Sequence, residues 1–137
     1  MRLYVDSSVI LRAVFGEPGA YRDWAQVEYG VASRLAQIEC LRTLDRRRVR
    51  GILDDTTLAQ VRQTTLDLLS RIALVPLSPA IVARAAEPFP TTLGSLDALH
   101  LATAMRWQAA TGDALTFVSH DTELQTAARA CGFAVAG

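Results

Sequence analysis

Short apolar runs alternate along the chain with longer stretches in which apolar residues return every three or four positions. Leu3-Tyr4-Val5 reads as a β-strand that stops at Asp6-Ser7-Ser8, and Val9, Leu11 and Val14 predict a helix broken by Gly16-Glu17-Pro18-Gly19. A short helix is expected from Tyr21 to Val27. Val31-Ala32-Ser33 forms a brief strand pattern that leads into a helix from Arg34 to Arg48. There Leu35, Ile38, Leu41 and Leu44 recur at intervals of three and suggest an apolar stripe.

Gly51 and Asp54-Asp55 mark the next turn, before a helix from Thr57 to Arg71 carrying Leu58, Val61, Leu66 and Leu69. Ala73 to Leu77 reads as a strand, Ile81 to Ala86 as a short helix, and Glu87-Pro88-Phe89-Pro90 as a loop. Ser95 is the expected N-cap of a helix to Gln108. A strand from Thr116 to Ser119, a helix from Thr122 to Cys131 and a strand from Phe133 to Ala136 complete the chain. Strands alternating with helices in this way predict an α/β fold, with a parallel sheet covered by helices on both faces. In such sheets the site lies beyond the carboxyl ends of the strands.

At 137 residues, half of them hydrophobic, the chain fits a single domain, 1–137, with a core that needs no disulfide or structural metal. Cys40 and Cys131 are expected to be reduced and largely buried. No apolar run is long enough for a signal peptide or a bilayer span, so a cytoplasmic protein with no membrane contact is expected. Net charge is zero, but its distribution is uneven. Arg34, Arg42, Arg46, Arg47, Arg48 and Arg50 stand close together against only Glu39 and Asp45. The chain has no lysine, a bias that a GC-rich coding sequence would produce by itself. The Arg46-Arg47-Arg48 run reads as a solvated helix end favoured by the dipole, or as a contact for RNA phosphate or an acidic partner.

Four acids stand out. Asp6 and Asp121 directly follow strand patterns, which places them at the carboxyl edge, although aspartate also serves there as a cap or turn residue. Asp97 opens the helix Leu96-Asp97-Ala98-Leu99-His100-Leu101-Ala102-Thr103-Ala104, which is apolar almost all round. One and two turns on are Leu101 and Ala104, so its carboxylate shares a core-type face and needs a cation or a proton. Its place in the first turn also suits the helix dipole. Glu39 lies at the edge of its helix's stripe, where Arg42 offers an ordinary surface ion pair. If the four converge, their repulsion calls for a hard cation, Mg²⁺ or Mn²⁺, rather than zinc. Such ions could activate a water and stabilise charge on a phosphate.

The segments Val-Asp-Ser-Ser-Val-Ile-Leu, Ile-Glu-Cys-Leu-Arg, Leu-Asp-Ala-Leu-His-Leu-Ala-Thr-Ala and Phe-Val-Ser-His-Asp occur in an order and spacing that resembles the PIN-domain nucleases. Within that group the likeness is to the VapC-like toxins of bacterial toxin–antitoxin pairs, and it covers essentially the whole chain. The resemblance implies a three-layer α/β/α domain with a parallel sheet of four or five short strands. It implies RNA phosphodiester hydrolysis with Mg²⁺ or Mn²⁺ held by Asp6, Glu39, Asp97 and Asp121, of which Asp6 and Asp97 are the expected direct ligands. Ser7 and Ser119 become supporting hydroxyls, Ser119 standing where the family usually has threonine. A VapB-like antitoxin and a homodimer are implied as partners. His100 is expected to be packed or hydrogen-bonded, and His120 to be a solvent-facing neighbour of the site.

Three other readings remain open. An aspartyl-phosphate enzyme would need a second aspartate two residues after Asp6, where Ser8 stands, and a lysine, which is missing. A PIN-fold binding module with weak catalysis, or an RNA-processing nuclease without an antitoxin, would leave the sequence unchanged.

Overall fold

Leu3, Tyr4 and Val5 are all fully buried, so the strand they form, β1 (Arg2–Val5), is covered on both faces. The computed structural model describes Met1–Gly137 and contains four further strands: β2 (Tyr29–Ser33), β3 (Ile72–Val75), β4 (Thr116–Val118) and β5 (Ala134–Ala136). All pair in parallel, in the spatial order β3-β2-β1-β4-β5. Six helices connect and cover them: α1 (Ser7–Val14), α2 (Arg34–Val49), α3 (Asp55–Ser70), α4 (Pro79–Ala85), α5 (Ser95–Thr111) and α6 (Thr122–Ala130). This is the expected three-layer α/β/α arrangement.

The two faces of the sheet carry two separate cores, because successive strand residues point to opposite sides. Leu3, Val5, Ala32 and Val118 pack with Val9 and Ile10 of α1, Ala36 and Cys40 of α2, and Leu69 of α3. On the other side lie Tyr4, Val31 and Phe117, with Leu101 and Ala104 of α5 and Leu124 and Ala127 of α6. The register explains the grouping, since Tyr4 stands opposite both Val31 and Phe117. The Tyr4 ring stacks on Phe117 with centroids 4.9 Å apart, and Phe133 meets Phe117 edge-on at 5.7 Å.

Several elements differ from the sequence reading. The expected helix from Tyr21 to Val27 shrinks to one 3-10 turn, Asp23–Gln26. Tyr21, Trp24 and Val27 pack against the edge of the first core, so tertiary contact decides the conformation there. Along α2 the buried residues are Leu35, Ala36, Cys40 and Leu44, so Leu35 and Leu44 of the expected stripe are inside, while Ile38 is 54% exposed. A repeat of three drifts around a helix of 3.6 residues per turn, whereas steps of four and three alternating would stay on one face. Gly94, not Ser95, caps α5, and it supplies no side-chain bond. Both cysteines are free thiols; Cys40 is buried, which pushes its thiol up to about 12. No helix is long and apolar enough to cross a membrane.

Phe117 bridges Tyr4 and Phe133 at the centre of the second core. Phe117→Ala should therefore lower unfolding stability by roughly 3–5 kcal/mol, read as a reduced urea midpoint.

Candidate active site

Asp6 follows β1 and caps α1, its Oδ1 accepting the Val9 amide at 3.2 Å. The residue is only 4% exposed, so its carboxylate needs donors in place of water. The Ser8 hydroxyl donates to Oδ1 at 2.5 Å and the buried Ser119 hydroxyl donates to Oδ2 at 2.5 Å. Ser119 Oγ also accepts the Asp121 amide at 3.0 Å, and Asp121 in turn caps α6 by accepting from Leu124 N at 2.9 Å. A hydroxyl can donate and accept at once, so Ser119 links two acids across neighbouring strands. Val5 pairs with Val118, which brings the two strand ends side by side.

Ser7, named with Ser119 from the sequence, does not bond Asp6 and instead borders a groove beside Glu39. Ser8 takes that place because a side chain two residues past an N-cap aspartate folds back onto it. The Asp-Ser-Ser run contained the signal, and the bond to Asp6 comes from its second serine. Ser8 Oγ also accepts the backbone N–H of His120 at 3.1 Å. The His120 ring is not simply solvent-facing: its Nε2 is buried without a hydrogen-bond partner, and burial followed by Arg12 holds its pKa below the ordinary value.

Glu39 reaches the same edge from α2. Arg42 is not its partner, since that guanidinium donates to Asp45 at 3.0 Å. Glu39 Oε1 instead lies 2.6 Å from Nε2 of His100, a residue only 2% exposed. His100 Nδ1 is 2.9 Å from the Tyr4 hydroxyl, which accepts the Ser33 amide at 3.2 Å. His100 is thus packed and hydrogen-bonded, as expected. Tyr4 was not anticipated, because nothing in an apolar strand run shows where a phenol ends.

Asp97 enters from the first turn of α5, on the face of the fully buried Leu101 and Ala104. Its carboxyl is pushed up to about 6, first by burial and then by Asp121. His100 opposes the rise, Asp6 and Glu39 add to it, and no hydrogen bond to the carboxylate contributes. Each of the other three acids therefore acts electrostatically on the Asp97 carboxyl. As a donor set, four carboxylates suit Mg²⁺ or Mn²⁺ in kind. No group of three acids, histidines or cysteines is already closed to metal-holding distance.

Beside the acids runs a groove of about 510 Å³ bordered by Ser7, Ile38, Glu39, Arg42, Arg46 and Leu96. The arginine run divides here. Arg48 is held by Asp45 at 2.9 Å, while Arg47 lies 3.8 Å over the Phe15 ring and 3.6 Å from Glu17. Arg46 bonds only Thr43, at 3.2 Å, and lines the groove.

Residues 3–130 match the sequence profile of the PIN domain. The chain belongs to the PIN-domain family. It is 29% identical over 141 residues to a Mycobacterium tuberculosis protein named Ribonuclease VapC47, covering 98% of this chain and 95% of that one. A toxin–antitoxin complex from Klebsiella pneumoniae superposes with a TM-score of 0.66 at 16% identity, covering 98% of this chain and 96% of that one. VapBC2 from Rickettsia felis, solved bound to a DNA fragment from their promoter, superposes at 0.67 with 14% identity and 99% and 98% coverage. These structures share the fold of this PIN domain.

The raised Asp97 pKa has a consequence for stability. The folded chain holds this proton more tightly than the unfolded one, so stability is lost as pH rises from about 4 to about 6 and stays lower above that. Asp97→Asn removes the penalty. In EDTA at pH 7.5 it should melt about 3 °C above wild type, equivalent to roughly 1 kcal/mol after solvent screening. At pH 4 the difference should vanish in thermal melts.

Proposed function

We propose that this PIN domain, spanning 1–137, is a divalent-metal-dependent endoribonuclease of the VapC-like toxin kind, restrained by a cognate VapB-like antitoxin. The observation that carries the reading is the Asp97 carboxyl. It is part-buried, supported by no hydrogen bond, and exposed to the charge of three other acids. A bare carboxylate in that setting is costly unless a cation joins it. The relative named Ribonuclease VapC47 and the structures named as toxin–antitoxin assemblies support the same reading.

Asp97 offers both oxygens to an ion, whereas Asp121 commits Oδ1 to Leu124 and Glu39 commits Oε1 to His100. Asp6 already accepts three hydrogen bonds, which leaves it about one free lone-pair direction. A bound Mg²⁺ or Mn²⁺ would neutralise the acids, polarise a phosphate and make a water acidic enough to attack it. Asp97 would hold the ion as a free carboxylate, the form it takes above about pH 6. Arg46 supplies a fixed positive charge to the RNA backbone along the groove, while Arg47 and Arg48 are spent within the protein. A homodimer and a cytoplasmic setting complete the proposal.

A second reading, a binding module with weak catalysis, is favoured by the lack of a preformed metal-holding cluster. An RNA cleavage assay separates them. Wild type should cut RNA, structured RNAs such as tRNA included, in Mg²⁺ or Mn²⁺ and stop in EDTA, and Asp97→Asn should lose at least roughly a hundredfold. Activity that persists in EDTA would sink the metal mechanism, and no cleavage of any substrate would favour the binding module. Arg46→Ala should raise KM and flatten its salt dependence, with Arg48→Ala near wild type.

A further inference from the structure

Glu39 and Asp97 come from different helices, α2 and α5, and a single side chain spans the two. His100 bonds Glu39 and stands one turn after Asp97 on α5. Glutamate has three side-chain torsions, and nothing in α2 itself pins this one. Two guanidiniums, Arg42 and Arg46, border the groove that Glu39 lines, and either would attract its carboxylate away from the other acids.

We infer that His100, backed by Tyr4, is the positioning residue that fixes Glu39 among the acids and keeps it from collapsing onto those arginines. The claim rests on the proposed function of the acidic site. The hydrogen-bond directions agree at every link. Ser33 N–H can only donate, so it takes a lone pair of the Tyr4 oxygen and leaves the phenol hydrogen free for His100 Nδ1. Glu39 as a carboxylate only accepts, which places the ring hydrogen on Nε2. Of the two neutral tautomers, only the one with its hydrogen on Nε2 satisfies both contacts.

The Ser33 amide belongs to the junction of β2 and α2, and Ser33 itself caps α2 by accepting the Leu35 amide at 3.1 Å. The relay therefore starts at the β2–α2 junction and ends on α2, passing through β1 and α5. It returns the charge of Glu39 to a fixed point relative to the backbone that carries it. A purely packing histidine needs none of this. A leucine would fill the same buried space, but it would leave the Tyr4 hydroxyl hydrogen without the His100 acceptor and Glu39 Oε1 without its donor.

The test is Mn²⁺ affinity by calorimetry on wild type, His100→Leu, His100→Gln and Tyr4→Phe, together with imidazole nitrogen spectra of the metal-free protein. His100→Leu should weaken Mn²⁺ about tenfold to a hundredfold, as removal of a partner behind a ligand does. His100→Gln places an N–H near the position of Nε2 and should recover most of that loss, with Tyr4→Phe between the two. The wild-type spectrum should show the hydrogen on Nε2, and Glu39→Gln should move that signal. A folded His100→Leu protein with wild-type affinity would overturn the inference, as would His100→Gln performing no better than His100→Leu, or a neutral ring with its hydrogen on Nδ1 alone. If His100→Leu does not fold, His100→Gln and Tyr4→Phe decide: affinities equal to each other and to wild type overturn it. If wild type itself binds no Mn²⁺, the metal reading fails, and the positioning of Glu39 is then judged by the spectrum alone.

Discussion

A carboxylate withdrawn from water at the end of a parallel strand is the constraint around which this domain is arranged. Asp6 is accommodated because three donors reach it from two segments: the Val9 amide and Ser8 hydroxyl from its own helix, and the Ser119 hydroxyl from beyond β4. Each bond also serves a second purpose. The amide bond starts α1, Ser8 holds the backbone at His120, and Ser119 holds the backbone at Asp121 just where α6 begins. Removing one donor would strand a buried charge and loosen a helix start together, at a cost of about 1–3 kcal/mol for the unpaired group alone.

The layered fold was legible in the chain because short apolar runs alternate with longer helix-length stretches. β1 is buried on both faces, and α5 is apolar almost all round, so neither could be mistaken. Asp6, Asp97 and Asp121 were legible because they stand at fixed offsets from those elements. Less was visible where the outcome depends on a partner distant in sequence. Glu39 looked like a neighbour for Arg42, yet that arginine prefers Asp45, and the acid finds a histidine 61 residues away. Ser8 and Ser7 are equivalent on paper and distinguished only by the turn after Asp6. The arginine run looked uniform, while Phe15, Glu17 and Asp45 pair off two of its three members.

The second core and the acidic edge are joined through Tyr4. Its ring stacks on Phe117 and its hydroxyl meets His100, so one residue takes part in both packing and polarity. This differs from Asp6, which is supported entirely from the edge itself. The four acids thus have distinct mechanical footings: a strand end, a helix side braced through the core, and two helix starts.

Those footings differ in one respect with a kinetic meaning. The α5 start, where Asp97 stands, has Gly94 as its cap and gains no side-chain bond there, while Asp6 and Asp121 cap their own helices. Amide hydrogen exchange should divide the site accordingly. The Ser33 amide, buried against the Tyr4 oxygen, should exchange slowly. The amides at the start of α5 can exchange by fraying of a single turn. The start of α5 is therefore free to breathe while the strand end at Asp6 and the braced side of α2 stay closed.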